Sequence, residues 1–375
     1  MSLEIREVRT SKEMKTFVKF PLSLYKNHPY YVPALIFDDL ATFNPKKNPA
    51  YDFCESICFL AFRNNKIVGR IAGLINHNAN KGWKVKNVRF GWFDAIDDLE
   101  VTKALMDEVA AWGTKKGMTE LTGPLGFTDL DPEGMLIEGY ELIGTMATIY
   151  NYPYYPAHME KLGFEKEVDW KEFRINIPES IPDRYQRMAN IVSEKFGLRT
   201  VQEKSLKILV KNYGEKLFQL VNETYCVLYG FSTLTERQMK YYIKMYLSFA
   251  RTDLISIIVD KEDNVVGLGI TMPSLSKAMQ KSKGSLFPFG FIHMLKALKK
   301  NNVVDFYLMG VHPDYQNKGV SALIFADLYP NFVKNGLKMA ETNPELETNT
   351  KIQVLWSDFN PEPVRRRRVF KKELI

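Results

Sequence analysis

The run Val311-His312-Pro313-Asp314-Tyr315-Gln316-Asn317-Lys318-Gly319-Val320-Ser321-Ala322 has the clearest chemical meaning in this 375-residue chain. Upstream, Val303 to Val311 reads as a buried strand; downstream, Leu323, Ile324, Leu328 and Phe332 recur at helical spacing up to Gly336. A strand, a polar glycine turn and a helix in this order make a place for a phosphate. The first amides of a helix lack acceptors within it and carry the positive end of its dipole. Gly319 lets the backbone come close to such an anion, and Lys318 adds a charge. An ordinary strand-to-helix turn built on Asn-Lys-Gly satisfies the same pattern.

The elements that must hold this loop occur twice. Phe59 to Gly73 and Ile255 to Ile270 each place a polar turn between two β-rich runs, a hairpin signal. Val88 to Phe93 then parallels the strand at 303 to 311, and an expected helix from Leu99 to Gly117 parallels the one from Gly319 to Gly336. Both helices close on a basic residue and a glycine, as C-terminal helix signals should. The second unit is longer by about the size of the Lys277 to Lys300 segment, so this basic stretch reads as an insertion. Inside it, Phe287-Pro288-Phe289-Gly290-Phe291 forms an aromatic turn expected to line a pocket or cover a core edge. Helices are expected at Ser11 to Tyr25, Asp183 to Phe196, Leu206 to Cys226 and Thr235 to Ala250.

Composition narrows the class. A chain of 375 residues with 45% apolar content has room for two domains, each with its own core. No apolar run is long enough to span a bilayer and the first residues lack a signal peptide's apolar stretch, so a cytoplasmic location is expected. Three cysteines without a paired framework agree with a reducing compartment; Cys54 and Cys58 read as buried small hydrophobes, and no metal site is expected. The net charge of +7 is concentrated in two segments: six lysines without an acid from Lys277 to Lys300, and six basic residues against two acids from Pro361 to Ile375. Such a distribution suits a local anionic ligand better than the wrapping of a long nucleic acid. The final run Val364 to Lys372 is expected to be a strand with basic edges.

The spacing Gln316-x-x-Gly319-x-Ser321 resembles the acyl-CoA pyrophosphate loop of the GCN5-related N-acetyltransferase (GNAT) superfamily, written Arg/Gln-x-x-Gly-x-Gly/Ala. Ser321 departs from it, with Ala322 one place late. The duplicated order of elements resembles two GNAT units in tandem. Pro21-Leu22-Ser23-Leu24-Tyr25, His28-Pro29, Val68-Gly69-Arg70-Ile71-Ala72, Gly123-Pro124 and Gly134 to Tyr140 look like a bacterial family of two-lobed GNAT-like proteins. The resemblance implies an α/β fold of two lobes, each a mixed, largely antiparallel sheet flanked by helices. The joint is expected at the proline-broken stretch Ile177 to Pro182, giving lobes 1–177 and 178–375.

It also implies a chemistry: attack of a small-molecule or peptide amine on the thioester of acetyl-CoA or another acyl-CoA. The amide of Val311 would polarise the carbonyl, and the amides of Asn317, Lys318, Gly319, Val320, Ser321 and Ala322 would hold the pyrophosphate beside Gln316. Asn349, near the cap of an expected helix Thr350 to Trp356, would approach the cofactor. Bases are sought on the two neighbouring strands, first Glu341 and then Asp305. A tyrosine common in the superfamily as a general acid has no counterpart, Trp356 and Phe359 standing in its place. In the first half the loop Asp94-Ala95-Ile96-Asp97-Asp98-Leu99-Glu100 carries three aspartates and no glycine, and would repel a pyrophosphate. Two alternatives stand beside transfer: binding of acyl-CoA or another anion without catalysis, and aminoacyl transfer from a charged tRNA.

Overall fold

The computed structural model describes residues 2–246 and 250–374. In the first half, β1 (Leu3–Glu7), α1 (Ser11–Leu24) and α2 (Ile36–Thr42) lead to the hairpin of β2 (Cys54–Arg63) and β3 (Lys66–Asn76). Then come α3 (His77–Trp83), β4 (Asn87–Ala95), α4 (Leu99–Lys115), β5 (Glu120–Gly123), β6 (Met135–Glu138), α5 (Tyr154–Lys161) and β7 (Glu165–Asn176). The second half runs α6 (Asp183–Phe196), β8 (Arg199–Thr200), α7 (Leu206–Tyr225), α8 (Glu236–Tyr246), and the hairpin of β9 (Ile255–Val259) and β10 (Val265–Pro273). It continues with α9 (Ser276–Ser282), α10 (Gly290–Lys299), β11 (Val303–Val311), α11 (Val320–Lys334), β12 (Met339–Glu341), β13 (Glu345–Leu346), α12 (Thr350–Trp356) and β14 (Glu362–Glu373). The helix expected over Thr235 to Ala250 is α8; residues 247–249 lie outside the described residues.

The strands form one sheet ordered β1-β2-β3-β4-β5-β14-β7-β12-β11-β10-β9-β8. Parallel pairing occurs at β4–β5 and β11–β12, the two places where a helix returns the chain to the next strand. The last strand of each half is exchanged: β14, from the chain end, pairs with β5 and β7, while β7 pairs with β12. The helix that follows each parallel-forming strand covers one face. Val101, Leu105 and Val109 of α4 pack on the first hairpin, as Val320, Ile324 and Leu328 of α11 pack on the second. Small residues beneath these helices make the contact close. A Cβ on Gly69 would stand 2.8 Å from Leu105, and one on Gly269 2.7 Å from Ile324.

Several expectations change at the level of side chains. The C-terminal run is a strand in the middle of the sheet, with Arg365 3% and Arg367 1% exposed. Its arginines are buried against carboxylates: Arg365 and Arg367 on Glu172, Arg365 also on Glu341, and Arg368 on Asp169 at 2.8 Å. Asp94 belongs to β4 and not to the loop; it is buried, 2.7 Å from Arg70, and accepts from the Tyr25 hydroxyl at 2.9 Å. The aromatics between Tyr150 and His158 pack within the first half, against Tyr25, Tyr31 and Phe93. Phe287 and Phe289 do not cover a core edge; both project into solvent. Cys54 and Cys58 are buried, as their spacing without partners suggested.

Candidate active site

β11 runs beside β10 along its whole length, to Val311 opposite Gly267, but beside β12 only over Val303–Asp305. Beyond Glu341 the chain stays with β7, through the Thr342 amide to Phe173 and then β13, and so parts from β11. The gap is bridged by side chains. Asn343 donates to the Tyr307 carbonyl at 2.9 Å, and the Tyr225 hydroxyl, from the end of α7, donates to the Met309 carbonyl at 3.2 Å and accepts from the Met309 amide at 3.4 Å. The His312 amide turns towards Val266 of β10, so by strand alternation the Val311 amide faces the side that β12 has left.

This parting opens into a cavity of about 360 Å³ between the two halves. Met309, Leu308, Tyr307, Asn343 and Glu345 come from the gap; Trp356 and Ile352 from α12 and Asn349 from just before it; Phe218 and Tyr225 from α7; Asp38, Asp39, Asp129, Asp131 and Glu133 from the first half. Its walls are mainly apolar and aromatic, and its polar groups are mainly carboxyls. Burial raises these carboxyls: Asp38 and Asp131 to about 6, Asp129 to about 7, and Glu133 well above its ordinary value. Glu345 is raised to about 8, again by burial, against the opposing hydrogen bond from the Trp356 indole at 2.7 Å and the nearby Thr342 side chain; its other oxygen makes no hydrogen bond of ordinary geometry. The Tyr307 hydroxyl, also at the cavity, has none either. Among the described residues no group of three or more such side chains is arranged to hold a metal ion.

The residues expected for catalysis lie where the strands part, in two different states. Glu341 is held by Arg174 at 2.7 Å and by Arg365. Asp305, opposite it in register, is 1% exposed; neither of its oxygens makes a hydrogen bond of ordinary geometry, and the Ser274 side chain only partly offsets its burial. Burial first, then the neighbouring Glu341 charge, raises Asp305 to about 7. Glu345 and Tyr307 were not singled out in the sequence. The acid at 345 sits in a polar run before α12, and only the parting of the strands brings it to the cavity.

The loop residues are together at the N-terminus of α11. Gly319 is the residue before the helix, with φ of 81°, and no side chain caps the helix. Among the described residues the amides of Asn317, Gly319, Val320 and Ser321 have no acceptor, while that of Ala322 turns to the Gly319 carbonyl. Glycine is required at 319 by its positive φ and by α6, because a Cβ there would stand 3.0 Å from Val192. The Gln316 side chain folds back onto the Val311 carbonyl at 3.2 Å and accepts from Lys351 of α12 at 3.1 Å. α12 therefore joins the loop to the cavity, with Lys351 on the loop and Asn349 and Ile352 on the cavity wall. Asn349 is the residue before α12 but makes no cap.

At the equivalent place in the first half the helix caps itself. Asp98 accepts from the amides of Glu100 at 3.0 Å and Val101 at 3.4 Å, and Arg63 pairs with both Asp98 and Glu100. The chain at Leu125 fills the gap beside β4, its amide on the Phe90 carbonyl at 2.8 Å.

Two hairpin-centred units, each with a strand, a covering helix and a parallel return strand, define a GNAT-like fold in tandem. The chain matches a tandem GNAT protein from the clavulanic acid biosynthesis pathway with a TM-score of 0.57 at 12% identity, covering 100% of this chain and 99% of that one. A GCN5-related N-acetyltransferase from Sphaerobacter thermophilus gives a TM-score of 0.52 at 9% identity, over 99% and 96% of the two chains. In sequence the chain is 26% identical to protein YghO of Escherichia coli (strain K12), over 99% of this chain and 95% of the relative. It is 25% identical to the bacterial ceramide synthase of Caulobacter vibrioides, over 84% and 82%. No family model matches the chain. Among the described residues no helix is long and apolar enough to cross a membrane.

Proposed function

We propose that the protein is an acyl-CoA-dependent N-acyltransferase whose acyl donor binds the half comprising residues 178–375, with residues 1–177 as a lobe that has lost donor binding but walls the acceptor site. The observation that carries this reading is the parting of β11 from β12 above Asp305, which opens a cavity joined through α12 to helix amides that have no acceptor among the described residues. The amides of Asn317, Gly319, Val320 and Ser321, with Lys318 and Lys351 nearby, fit a pyrophosphate. The acyl-CoA would supply a thioester, placed in the gap with its carbonyl towards the Val311 amide. The Tyr225 hydroxyl stands on the adjacent Met309 backbone and is positioned to donate to the departing sulfur. Capped by Asp98, the first-half helix offers no equivalent anion site.

The amine acceptor must lose a proton as the C–N bond forms and the C–S bond breaks. Glu345 suits this role: it faces the cavity, has an oxygen that makes no hydrogen bond of ordinary geometry, and is raised to about 8, near the pH at which a general base works best. Asp305 suits it next, and its charge is felt by the Tyr307 hydroxyl at the cavity wall. Glu341, clamped by two guanidinium groups, is better suited to holding the strands. The carboxyls from the first half would receive the acceptor's cationic end, and the apolar walls a hydrocarbon body. A relative named ceramide synthase supports an acceptor of that kind, an amine with an apolar chain.

Coenzyme A and acetyl-CoA added to the full chain in a thermal-unfolding titration test the reading. At 100 times the dissociation constant the folded state gains about 2.7 kcal/mol. Lys318→Glu with Lys351→Glu, both exposed, should abolish the gain without unfolding the protein. No shift with either ligand at millimolar concentration contradicts donor binding. A shift without free thiol released across a panel of long-chain amines contradicts transfer.

A further inference from the structure

The segment that lengthens the second half contains α9 and α10, and it has an outer face that no described residue covers. Met294, Ala297 and Leu298 turn α10 inward, onto Val32, Leu275 and Met279. The opposite side is apolar too: Phe291, Ile292 and Leu295 are exposed, Leu295 at 59%. The turn that leads into the helix raises Phe287 and Phe289 into solvent at 79% and 69%. A helix apolar on both sides is normally buried on both. Here one side is unpartnered.

The charges around this face are of one sign. Lys277, Lys281, Lys283, Lys296, Lys299 and Lys300 are all exposed, none makes a salt bridge with a described residue, and no acid occurs between Lys277 and Lys300. Exposed rings and a leucine at the tip, with unpaired ammonium groups on long stems around them, match the two halves of a lipid interface. The apolar groups reach the acyl boundary while the lysines stay at the level of anionic headgroups. A nucleic acid would use the lysines and leave Phe287 and Leu295 in water. A second copy of the chain would meet the same lysines with its own.

We infer that the α9–α10 face docks the protein on an anionic lipid bilayer, as a peripheral contact. The docked face lies close to the cavity: the Gly284 carbonyl accepts from the Ile36 amide at 3.0 Å, and Gln280 donates to the carbonyls of Pro29 and Tyr31. The segment so held continues into Ala34 and Leu35, which line the cavity. Docking rests on this surface alone and does not need the acyl transfer proposed above.

Sedimentation of the full chain with vesicles tests it, using phosphatidylcholine alone and an equimolar mixture with phosphatidylglycerol. The protein should pellet with the mixed vesicles and stay in solution with the neutral ones. Phe287→Ser, Phe289→Ser and Leu295→Ser together keep all six lysines and should weaken binding by at least about tenfold, from lost apolar burial. Lys296→Glu with Lys299→Glu should weaken it by about fivefold or more for each lysine. Near-ultraviolet circular dichroism should match wild type in both variants, since the altered side chains are exposed. Absence of binding to the mixed vesicles overturns the inference, as does binding that neither set of substitutions weakens. A wild-type dimer that the serine variant makes monomeric, or retention of duplex DNA in place of vesicles, also overturns it.

Discussion

Replacing Asp305 by Asn separates a buried carboxyl held neutral from one held as an ion. The side chain is 1% exposed, neither oxygen makes a hydrogen bond of ordinary geometry, and burial beside Glu341 outweighs the Ser274 side chain to raise it from 3.8 to about 7. A carboxyl whose folded value lies above its unfolded value binds its proton more tightly in the folded state. Its contribution is therefore fully present below about pH 4 and is lost as the pH rises to about 7, beyond which the loss is complete. A rise from 3.8 to about 7 is worth about 4 kcal/mol. Asn cannot ionise, so Asp305→Asn should match wild type near pH 4, apart from a constant offset, and exceed it by about 4 kcal/mol near pH 8. Urea unfolding of both proteins across this range measures the divergence. The constant cost of burying an amide shifts one curve against the other but does not alter their spread. A difference that stays flat with pH, or an Asn variant that loses ground as the pH rises, refutes a neutral, buried Asp305.

Other perturbations read other parts of the structure. Glu345→Gln should lower kcat by about a hundredfold or more, and the wild-type rate should climb as the pH passes through about 8, where Glu345 becomes a base; the limb should vanish in the variant. Arg365→Leu leaves Glu172 and Glu341 buried without their shared guanidinium, and should cost about 3–5 kcal/mol in chemical denaturation. Gly269→Ala drives a Cβ to 2.7 Å from Ile324 of α11 and should cost about 1–3 kcal/mol. Asp98→Ala removes the cap of α4 and should cost about 1 kcal/mol, without creating a coenzyme A site, because Leu125 still fills the gap beside β4.

Local order was legible because each element carries its own signal. The two hairpins and the strand-turn-helix around Gly319 depend on residues a few positions apart, and the structure has them at the expected places. The exchange of β7 and β14 was not legible, since pairing between residues about 200 apart leaves no mark on the periodicity of either strand. For the same reason the arginines from Arg365 to Arg368 read as a basic edge. Only with Glu172, Glu341 and Asp169 placed beside them do they become the paired charges of a central strand, Arg365 and Arg367 buried and Arg366 and Arg368 partly so. Glu345 and Tyr307 went unnoticed because the cavity they face exists only where two strands part. Gly319 was read as making room for a phosphate; its positive φ and the close passage of α6 give it a structural reason as well.

Under the proposed function, α11 presents its N-terminus to an acyl-CoA while α4 does not. Hydrogen–deuterium exchange of the full chain with and without acetyl-CoA measures this directly, since the amides of Asn317, Gly319, Val320 and Ser321 have no acceptor among the described residues. Acetyl-CoA should slow exchange over 317–321 and leave 98–101 unchanged. Protection over 98–101, or saturating acetyl-CoA that leaves 317–321 exchanging as before, would contradict it.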